Sequence, residues 1–301
     1  MNRLAVKVDV DTERGTRRGV PELLRLFDAE NVRATFLFSL GPDNTGRALR
    51  RVFRPGFFAK VQRTSVIGTY GLRTLLNGVL WPGPHIGRRH ASLLRQVAAA
   101  GHEVGIHCYD HVRWQDKLAS MSRDETAREF GRACQVFEDV FGRPALVAGA
   151  AGWQANAHSL GVYADAGIRY ASDTRGRSAF YARAGDTTFP SLQLPTTLPT
   201  LDELLGRPEY PQTQLEAHYR AWAADGDQVL TIHAELEGMR HREWFGRLLG
   251  RLRTEVCFET LGEAGARAHV APVCELVQGT VPGRSGLLAM QGPAVPDTRL
   301  N

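Results

Sequence analysis

The sequence of 301 residues is 43% hydrophobic and 23% charged, an ordinary composition for a folded globular protein that excludes a disordered or fibrous chain. Its length fits one large domain, such as an α/β barrel of roughly 250 residues, followed by a tail. The net charge of +5 is modest, and no run of 18 apolar residues indicates a membrane span. The four cysteines show no Cys-x-x-Cys spacing and the N-terminus lacks the apolar segment of a signal peptide, so we expect a protein of the reducing cytoplasm.

Apolar periodicity predicts strands that alternate with helices along most of the chain. Residues 3–10 form an apolar run typical of a buried strand, and Ser122 with Glu125 three residues later resembles a capping box that begins a helix ending at Phe141. The other predicted elements, in chain order, are a helix at 19–30, a strand at 34–40, a helix at 88–100, strands at 103–106 and near 146, a helix at 157–166, strands at 168–172 and 191–194, a helix at 212–224, a strand at 228–232, a helix at 243–253 and a strand at 256–258. This alternation predicts a parallel α/β sheet, and about seven strands favour a distorted (β/α)7-type barrel over an open, doubly wound sheet.

These elements define the expected domain organisation. We predict one catalytic domain over residues 1–277, which includes an insertion at 44–85. From Gln278 onwards Gly, Pro and polar residues dominate without periodicity, so residues 278–301 are expected to be a disordered tail.

The insertion has an uneven charge. Between Asp43 and Glu103 the sequence contains no acidic residue, whereas Arg and Lys recur there among Phe, Leu and Trp. This pattern indicates an anionic partner, and its alternative is a solvated basic face on an arginine-rich protein.

Aspartate and histidine side chains follow the ends of several predicted strands. Asp9 and Asp11 share one face of the first strand, because side chains two residues apart project to the same side. His107 and His111 follow the strand at 103–106 with His-x-x-x-His spacing, and His233 follows a later apolar strand. Since the carboxyl ends of parallel strands meet at one edge, where barrel active sites lie, these residues predict a metal-dependent catalytic site.

Each residue also has a plainer explanation. Asp9 could pair with Lys7, Asp11 could cap a turn, and the histidines could be packed structural residues. The segment Ser172-Asp173-Thr174-Arg175-Gly176 could equally form a salt bridge within a loop. The coincidence of such residues at three or four strand ends favours the catalytic interpretation.

The order of these motifs resembles the polysaccharide deacetylase (NodB-homology) family over about residues 4–260. The matching motifs are Val8-Asp9-Val10-Asp11-Thr12, His107-x-x-x-His111, Asp173 and Leu230-Thr231-Ile232-His233. The resemblance implies that Asp9 is the general base and His233 the general acid. It also implies that Asp11, His107 and His111 bind one divalent metal ion, with zinc, cobalt, manganese and nickel as candidates.

One motif departs from the family pattern. Where most members have an arginine that orients the catalytic aspartate, this chain reads Gly149-Ala150-Ala151-Gly152-Trp153, and Arg175 and Lys7 are the candidates to replace that arginine. With this departure, the motifs resemble the deformylase subfamily that acts on a formamido-arabinose linked to undecaprenyl phosphate. The residues that we expect to bind substrate are Asp173, Arg175, Trp153 and Gly152. The bulk of Trp153 makes it our hypothesis for the wall that excludes an acetyl methyl group.

The same resemblance implies a hydrolase of linear amide bonds in the aminoarabinose modification of lipid A and in polymyxin resistance. Such an enzyme would lie peripherally on the cytoplasmic face of the inner membrane, where its insertion contacts anionic phospholipid. No nucleic acid or obligate protein partner is expected. The residues expected to face the lipid are Arg50, Arg51, Arg54, Phe57, Phe58, Lys60 and Trp81.

Three other functions remain open on the sequence alone. The chain could deacetylate another amino sugar or polysaccharide. Two histidines and one carboxylate also describe non-haem Fe(II) oxygenases, although an oxygenase has no need of the second aspartate, Asp9. A non-catalytic carbohydrate or nucleic-acid binder would leave Asp9 and His233 without a role.

Overall fold

A computed structural model describes residues 1–48, 72–268 and 270–296 of the chain. Within these residues the strands are β1 Asn2–Val10, β2 Thr35–Ser39, β3 Glu103–Cys108, β4 Val147–Ala148, β5 Tyr170–Ala171, β6 Phe180–Ala184, β7 Thr187–Gln193, β8 Gln228–His233, β9 Val256–Glu259, β10 Val273–Gly279 and β11 Leu288–Val295. The α-helices are α1 Val20–Glu30, α2 Leu72–Leu76, α3 Ile86–Arg89, α4 Ala91–Ala99, α5 His111–Lys117, α6 Arg123–Phe141, α7 Ala157–Asp165, α8 Leu201–Leu204, α9 Leu215–Ala223, α10 Arg242–Leu252 and α11 Leu261–Arg267.

The strands form one mixed sheet in the order β11-β10-β6-β7-β5-β4-β3-β2-β1-β8, with β9 also paired to β1. No continuous ladder closes this sheet among the residues that the structure describes. Instead, the segment after β7 approaches β8, where the N–H of Thr197 donates to the carbonyl of Val229 at 3.1 Å and the hydroxyls of Thr196 and Thr231 lie 2.6 Å apart. The α/β fold is therefore confirmed as a distorted barrel, and its sheet is mixed rather than wholly parallel.

The two faces of β1 contact different hydrophobic clusters. Leu4, Val6 and Val8 are fully buried and belong to the large core between the sheet and its helices. Ala5 belongs to a second, smaller cluster together with Leu37 and other residues. Because side chains alternate along a strand, Asp9 projects to the same side as Ala5, away from the helical core.

The long helix α6 begins as predicted. The Ser122 hydroxyl accepts from the N–H of Glu125, and the Glu125 carboxylate accepts from the N–H of Ser122, so the capping box is confirmed. The helix ends at Gly142, whose φ of 68° lies in the left-handed region that glycine tolerates.

The C-terminal region corrects one prediction. Residues 278–296 are not a disordered tail, because β10 and β11 form an antiparallel hairpin whose first strand pairs with β6. Arg175 joins this hairpin to the barrel, since its N–H donates to the carbonyl of Ala289 at 2.9 Å and its carbonyl accepts from the N–H of Gln291 at 2.8 Å. The sequence did not predict β10 and β11 because their apolar periodicity is low. Their stability depends instead on pairing with distant residues.

Six of the residues predicted to face lipid lie outside the described residues, namely Arg50, Arg51, Arg54, Phe57, Phe58 and Lys60. Trp81 is described and 41% exposed, next to Val79 and Leu80, which are also exposed. None of the helices in the described part of the chain combines the length and apolar character that crossing a membrane requires.

Candidate metal and catalytic site

Three side chains with metal-ligating atoms converge near the carboxyl ends of β1 and β3. The Oδ1 atom of Asp11 lies 3.3 Å from Nε2 of His107 and 3.4 Å from Nε2 of His111. One ligand atom from each residue lies within 4.8 Å of the others. One carboxylate oxygen and two imidazole nitrogens suit a divalent transition metal ion, so the structure groups the three predicted ligands in a way that fits such an ion.

The ring of His107 is oriented by the loop after β4. Its Nδ1 atom lies 2.6 Å from the carbonyl oxygen of Gly149. Since a carbonyl can only accept, Nδ1 carries a proton, and Nε2 is the ring nitrogen that faces Asp11 and could bind a metal ion. The backbone of Gly149 is closely packed, because an added Cβ would lie 2.4 Å from Cδ1 of Leu37.

His111 is the first residue of α5, and its position depends on the N-cap residue Asp110. The Oδ1 atom of Asp110 accepts from the N–H of Arg113 at 3.0 Å, which begins the helix. The Oδ2 atom accepts from the side-chain amide of Asn44 at 2.6 Å. The base of the insertion is therefore hydrogen-bonded to the residue that precedes a predicted metal ligand.

A buried lysine accompanies the predicted general base. The Nζ atom of Lys7 lies 3.4 Å from Oδ2 of Asp9 and donates to the carbonyl of Ser172 at 3.0 Å. Arg175 instead pairs with Glu203, at 2.5 Å between Nη1 and Oε1. Of the two candidates to replace the missing arginine, Lys7 is the one that the structure places beside Asp9.

The predicted general acid lies on the neighbouring strand. His233 ends β8 directly across from Asp9 in the parallel register, and the N–H of Ala234 donates to the carbonyl of Asp9 at 3.0 Å. The N–H of His233 donates to Oε2 of Glu237 at 2.9 Å. Its imidazole packs against Trp153, with ring centroids 6.5 Å apart at 74°. The five residues predicted for metal binding and catalysis therefore lie in one site.

Comparison with known proteins identifies the family. The polysaccharide deacetylase family matches residues 8–171. A Shewanella sediminis protein named as a 4-deoxy-4-formamido-L-arabinose-phosphoundecaprenol deformylase is 35% identical over 298 residues, which are 98% of this chain and 96% of that protein. The chain belongs to the polysaccharide deacetylase family. This membership makes it an enzyme, a hydrolase, and confirms the family predicted from its motifs.

Two further proteins are similar to this chain. A Wigglesworthia glossinidia brevipalpis protein named as the same deformylase is 30% identical over 286 residues, which are 92% of this chain and 98% of that protein. The crystal structure of a protein named as a polysaccharide deacetylase from Mycobacterium smegmatis matches 93% of this chain and 94% of its own, with a TM-score of 0.61 and 20% identity. At that identity the similarity supports the fold alone.

The residues predicted to bind substrate are mostly buried. Asp173 is fully buried, and its Oδ1 accepts from the N–H of Ala150 at 2.7 Å, so it holds the loop that carries Gly152 and Trp153. Arg175 is 6% exposed. Gly152 has a φ of 62° and Trp153 a φ of 51°, which places two consecutive residues in the left-handed region. The side chains of Asp173, Arg175 and Trp153 are therefore all buried, and none of them lies in an open cleft.

Charges within the site shift the pKa values of its residues. Burial opposes ionisation of Asp11, but His111 and His107 outweigh it and hold the pKa of Asp11 well below its ordinary range. Burial likewise opposes protonation of His107, yet Asp9 and Asp11 raise its pKa. Burial raises the pKa of Glu237 to about 8. The site therefore has strongly perturbed titrating groups, as functional sites commonly do.

Several residues around the site were given no role from the sequence alone. Glu235 accepts from the N–H of Thr12 at 2.9 Å and from the Thr12 hydroxyl at 2.7 Å, which fixes the residue after Asp11. Burial raises the pKa of Glu235 well above its ordinary range. Glu237 and Arg284 were also missed. The one sequence signal for Glu235 and Glu237 was their position directly after the apolar strand that ends at His233.

Proposed function

We propose that this chain is a metal-dependent amide hydrolase that removes the formyl group from 4-deoxy-4-formamido-L-arabinose-phosphoundecaprenol, leaving 4-amino-4-deoxy-L-arabinose-phosphoundecaprenol. The observation that carries the chemistry is the position of Asp9 and His233 opposite each other on β1 and β8, beside the group of Asp11, His107 and His111. The two relatives named as deformylases support the substrate, because each aligns with this chain over more than nine-tenths of both lengths.

Asp11, His107 and His111 would hold the metal ion. Zinc, cobalt, manganese and nickel all accept this donor set. When bound, such an ion polarises a carbonyl group and lowers the pKa of a water molecule towards roughly 7. The hydrogen bond from His107 to Gly149 supports this role, because a fixed tautomer directs Nε2 to the ligand position.

Asp9 would take the proton from the attacking water, and His233 would donate one to the departing sugar nitrogen. Lys7 keeps the buried carboxylate of Asp9 paired at 3.4 Å. Without this cation, an ionised carboxylate that is 3% exposed would be costly to bury. Lys7 would therefore offset part of the cost of burying the carboxylate of Asp9 when it acts as a base.

The loop after β4 would bind the carbonyl oxygen as it becomes an oxyanion. The N–H of Trp153 donates to the carbonyl of Ala150 at 3.1 Å, so we assign the oxyanion contact to the N–H of Gly152. The Trp153 ring beside His233 would limit the space for the acyl group. Excluding one methyl group in this way gives about 1 to 3 kcal/mol of preference for formyl over acetyl.

In the cell this reaction would supply aminoarabinose for lipid A modification and for resistance to polymyxin. The enzyme would be cytoplasmic and bind peripherally to the inner membrane, where the lipid-linked sugar is found. The exposed side chains of Val79, Leu80 and Trp81, together with the basic character of the insertion, support docking on anionic phospholipid.

A second candidate is deacetylation of another amino sugar, which the polysaccharide deacetylase match favours. The same five site residues would carry it, and only the acyl pocket and the sugar contacts would differ. The oxygenase alternative does not explain the lysine-paired Asp9 beside the metal ligands, and membership of a hydrolase family argues against it.

The test is formate release from 4-deoxy-4-formamido-L-arabinose-phosphoundecaprenol by the metal-loaded protein. Asp9→Ala and the chelated wild type are the matched controls. Formate that appears with the metal-loaded wild type alone supports the proposal. Release of acetate from the N-acetyl analogue at an equal or higher rate would replace the deformylase with a deacetylase, and release of neither acid would overturn both.

A further inference from the structure

The indole of Trp153 is enclosed by cations. Lys7 Nζ and the guanidinium carbons of Arg175 and Arg284 lie 5.4, 5.2 and 4.6 Å from the ring centroid, respectively. The indole N–H donates to the Thr196 hydroxyl at 3.1 Å, and the residue is 2% exposed. Cations over an aromatic face attract it electrostatically, so this ring is fixed on several sides.

This ring is the contact that orients His233. The Nδ1 atom of His233 is buried and has no hydrogen-bond partner among the residues that the structure describes. Catalytic histidines usually donate from their second nitrogen to a carboxylate or carbonyl, which fixes the ring. Here the 74° edge contact with Trp153 takes that place, because it limits rotation of the imidazole.

Two of the three cations are themselves locked by one carboxylate. Oε1 of Glu203 accepts from Nη1 of Arg175 at 2.5 Å and from Nε of Arg284 at 2.9 Å. Glu203 is 1% exposed, and Arg284 also bonds to Asp202 at 2.9 Å. Charge-assisted bonds of this kind hold the planar guanidinium groups in one orientation over the indole.

Arg284 reaches Trp153 because the β10–β11 hairpin docks tightly on the barrel. Gly283, with a φ of 88°, packs so closely that an added Cβ would lie 2.4 Å from the carbonyl oxygen of Glu203. The side-chain amide of Gln154 donates to the carbonyl of Leu287 at 2.8 Å. The side-chain amide of Gln278 donates to the carbonyl of Ala155 at 3.1 Å. Both sides of the hairpin are therefore hydrogen-bonded to the two residues that follow Trp153.

We propose that Arg284, together with Arg175 and Glu203, is a positioning residue that acts through Trp153 on the imidazole of His233. The C-terminal hairpin thereby contributes to protonation of the departing nitrogen without touching substrate. This inference rests on the proposed function in one respect, namely that His233 is the general acid.

The test compares two leaving groups. A formamido sugar releases a basic amine that needs a proton, whereas 4-nitrophenyl formate releases a stable phenolate that needs none. Arg284→Gln should lower kcat on the formamide about 10- to 100-fold, as expected for a misplaced acid, with KM changed less than about twofold. On the ester, kcat should change less than about twofold. Equal losses on both substrates would overturn the inference, because a general structural defect does not distinguish leaving groups.

A matched control and a double-mutant cycle test whether the effect of Arg284 on His233 passes through Trp153. Arg207→Gln removes a cation–π contact of similar geometry, 5.0 Å from the Tyr210 ring, and should leave both reactions unchanged. In a Trp153→Phe background the further change Arg284→Gln should add less than about twofold, because contacting residues that act in series are not additive. Additive losses would contradict transmission through Trp153.

A readout without turnover separates this inference from the proposed function. The ring current of Trp153 should shift the proton resonances of the His233 ring, and Arg284→Gln should move these resonances while Arg207→Gln should not. If Arg284→Gln does not fold, Arg284→Lys replaces it in this measurement. The lysine keeps the charge beside Glu203 but lacks the planar guanidinium group, so the same movement of the resonances is expected. Unmoved resonances overturn the inference, whereas a wild type that releases no formate overturns the deformylase proposal alone.

Discussion

The ammonium nitrogen of Lys7 lies 3.4 Å from Oδ2 of Asp9, and neither side chain is more than 4% exposed. The two residues are neighbours on one face of β1, since side chains alternate along a strand. A second contact of this ammonium group, the carbonyl of Ser172 at 3.0 Å, comes from the residue that follows β5. The folded chain thus places a lysine from the same strand beside the buried carboxylate of Asp9.

Lys7→Met should therefore abolish most activity and lower stability. The substitution leaves the buried carboxylate of Asp9 without its cation, and breaking a buried ion pair in this way costs about 3 to 5 kcal/mol. We expect kcat/KM for formate release to fall at least about 100-fold, the usual contribution of a general base. Chemical denaturation and initial rates measure the two effects. Lys117→Met on the exposed face of α5 is the control, and a matching loss there would contradict this explanation.

Removal of one predicted ligand should remove the metal ion. His111→Gln leaves Asp11 and His107 as two of the three ligands, and we expect bound metal to fall from about one ion per chain to near zero in equilibrium dialysis. Saturating zinc should raise the free energy of unfolding of the wild type by about 2.7 kcal/mol at 100 times Kd and leave the variant unchanged. The exposed His158→Gln should bind metal like the wild type. Full binding by His111→Gln would refute the ligand assignment.

Gly149→Ala should weaken the metal site without changing any ligand. The added Cβ would lie 2.4 Å from Cδ1 of Leu37 and 3.2 Å from the carbonyl oxygen of Ser172, so either the buried Leu37 side chain or the loop whose carbonyl orients His107 must shift, and we expect the loop to move. Loss of such an orienting contact costs about 10- to 100-fold in metal affinity, and the overpacking costs about 1 to 3 kcal/mol of stability. Gly131→Ala on α6, where an added Cβ meets nothing within 4 Å, should instead gain up to about 1 kcal/mol. Metal titration and thermal unfolding of both variants compare these outcomes.

The buried Glu237 predicts how stability depends on pH. Burial raises its pKa from 4.5 to about 8, so the folded protein keeps a proton that the unfolded chain releases in this window. Stability from this group is therefore fully present below about pH 4.5 and is lost as the pH rises towards 8. Glu237→Gln retains an acceptor for the N–H of His233 and cannot ionise. Between about pH 5 and 8.5 its stability relative to the wild type should rise by about 2 kcal/mol or more.

Chemical denaturation at each pH measures this difference. The exposed Glu243→Gln on α10 is the control and should follow the wild-type curve. Parallel curves for Glu237→Gln and the wild type would show that Glu237 does not hold a proton at neutral pH.

Docking on the membrane should depend on the exposed apolar triplet of residues 79–81. Leu80 is 66% exposed, and placing such a side chain in a lipid interface contributes about 1.5 to 3 kcal/mol. Leu80→Asp should therefore lower the bound fraction at least about fivefold in flotation with phosphatidylglycerol vesicles at low salt. Leu287→Asp, at a site 56% exposed on the hairpin, should float like the wild type. A wild type that stays with the dense fraction would refute docking.

The positions of Asp9, Asp11 and His233 could be predicted from the sequence because the direction of a side chain on a strand depends only on its place along that strand. Alternation with a period of two places Asp9 and Asp11 on one face, and the carboxyl ends of parallel strands meet at one edge. The His107-x-x-x-His111 spacing and the capping box at Ser122 are local in the same sense. Such features follow from a few neighbouring residues, so no tertiary contact was needed to predict them.

Only the tertiary structure shows which cation pairs with the carboxylate of Asp9 and which side chains surround Trp153. Lys7 and Arg175 were equal candidates in the sequence, and only the folded chain places one beside Asp9 and the other on Glu203. The β10–β11 hairpin was missed because its strands have weak apolar patterns and gain their stability by pairing with β6 and Arg175. Contacts between residues more than a hundred positions apart depend on the packing of the whole barrel, which no local pattern contains.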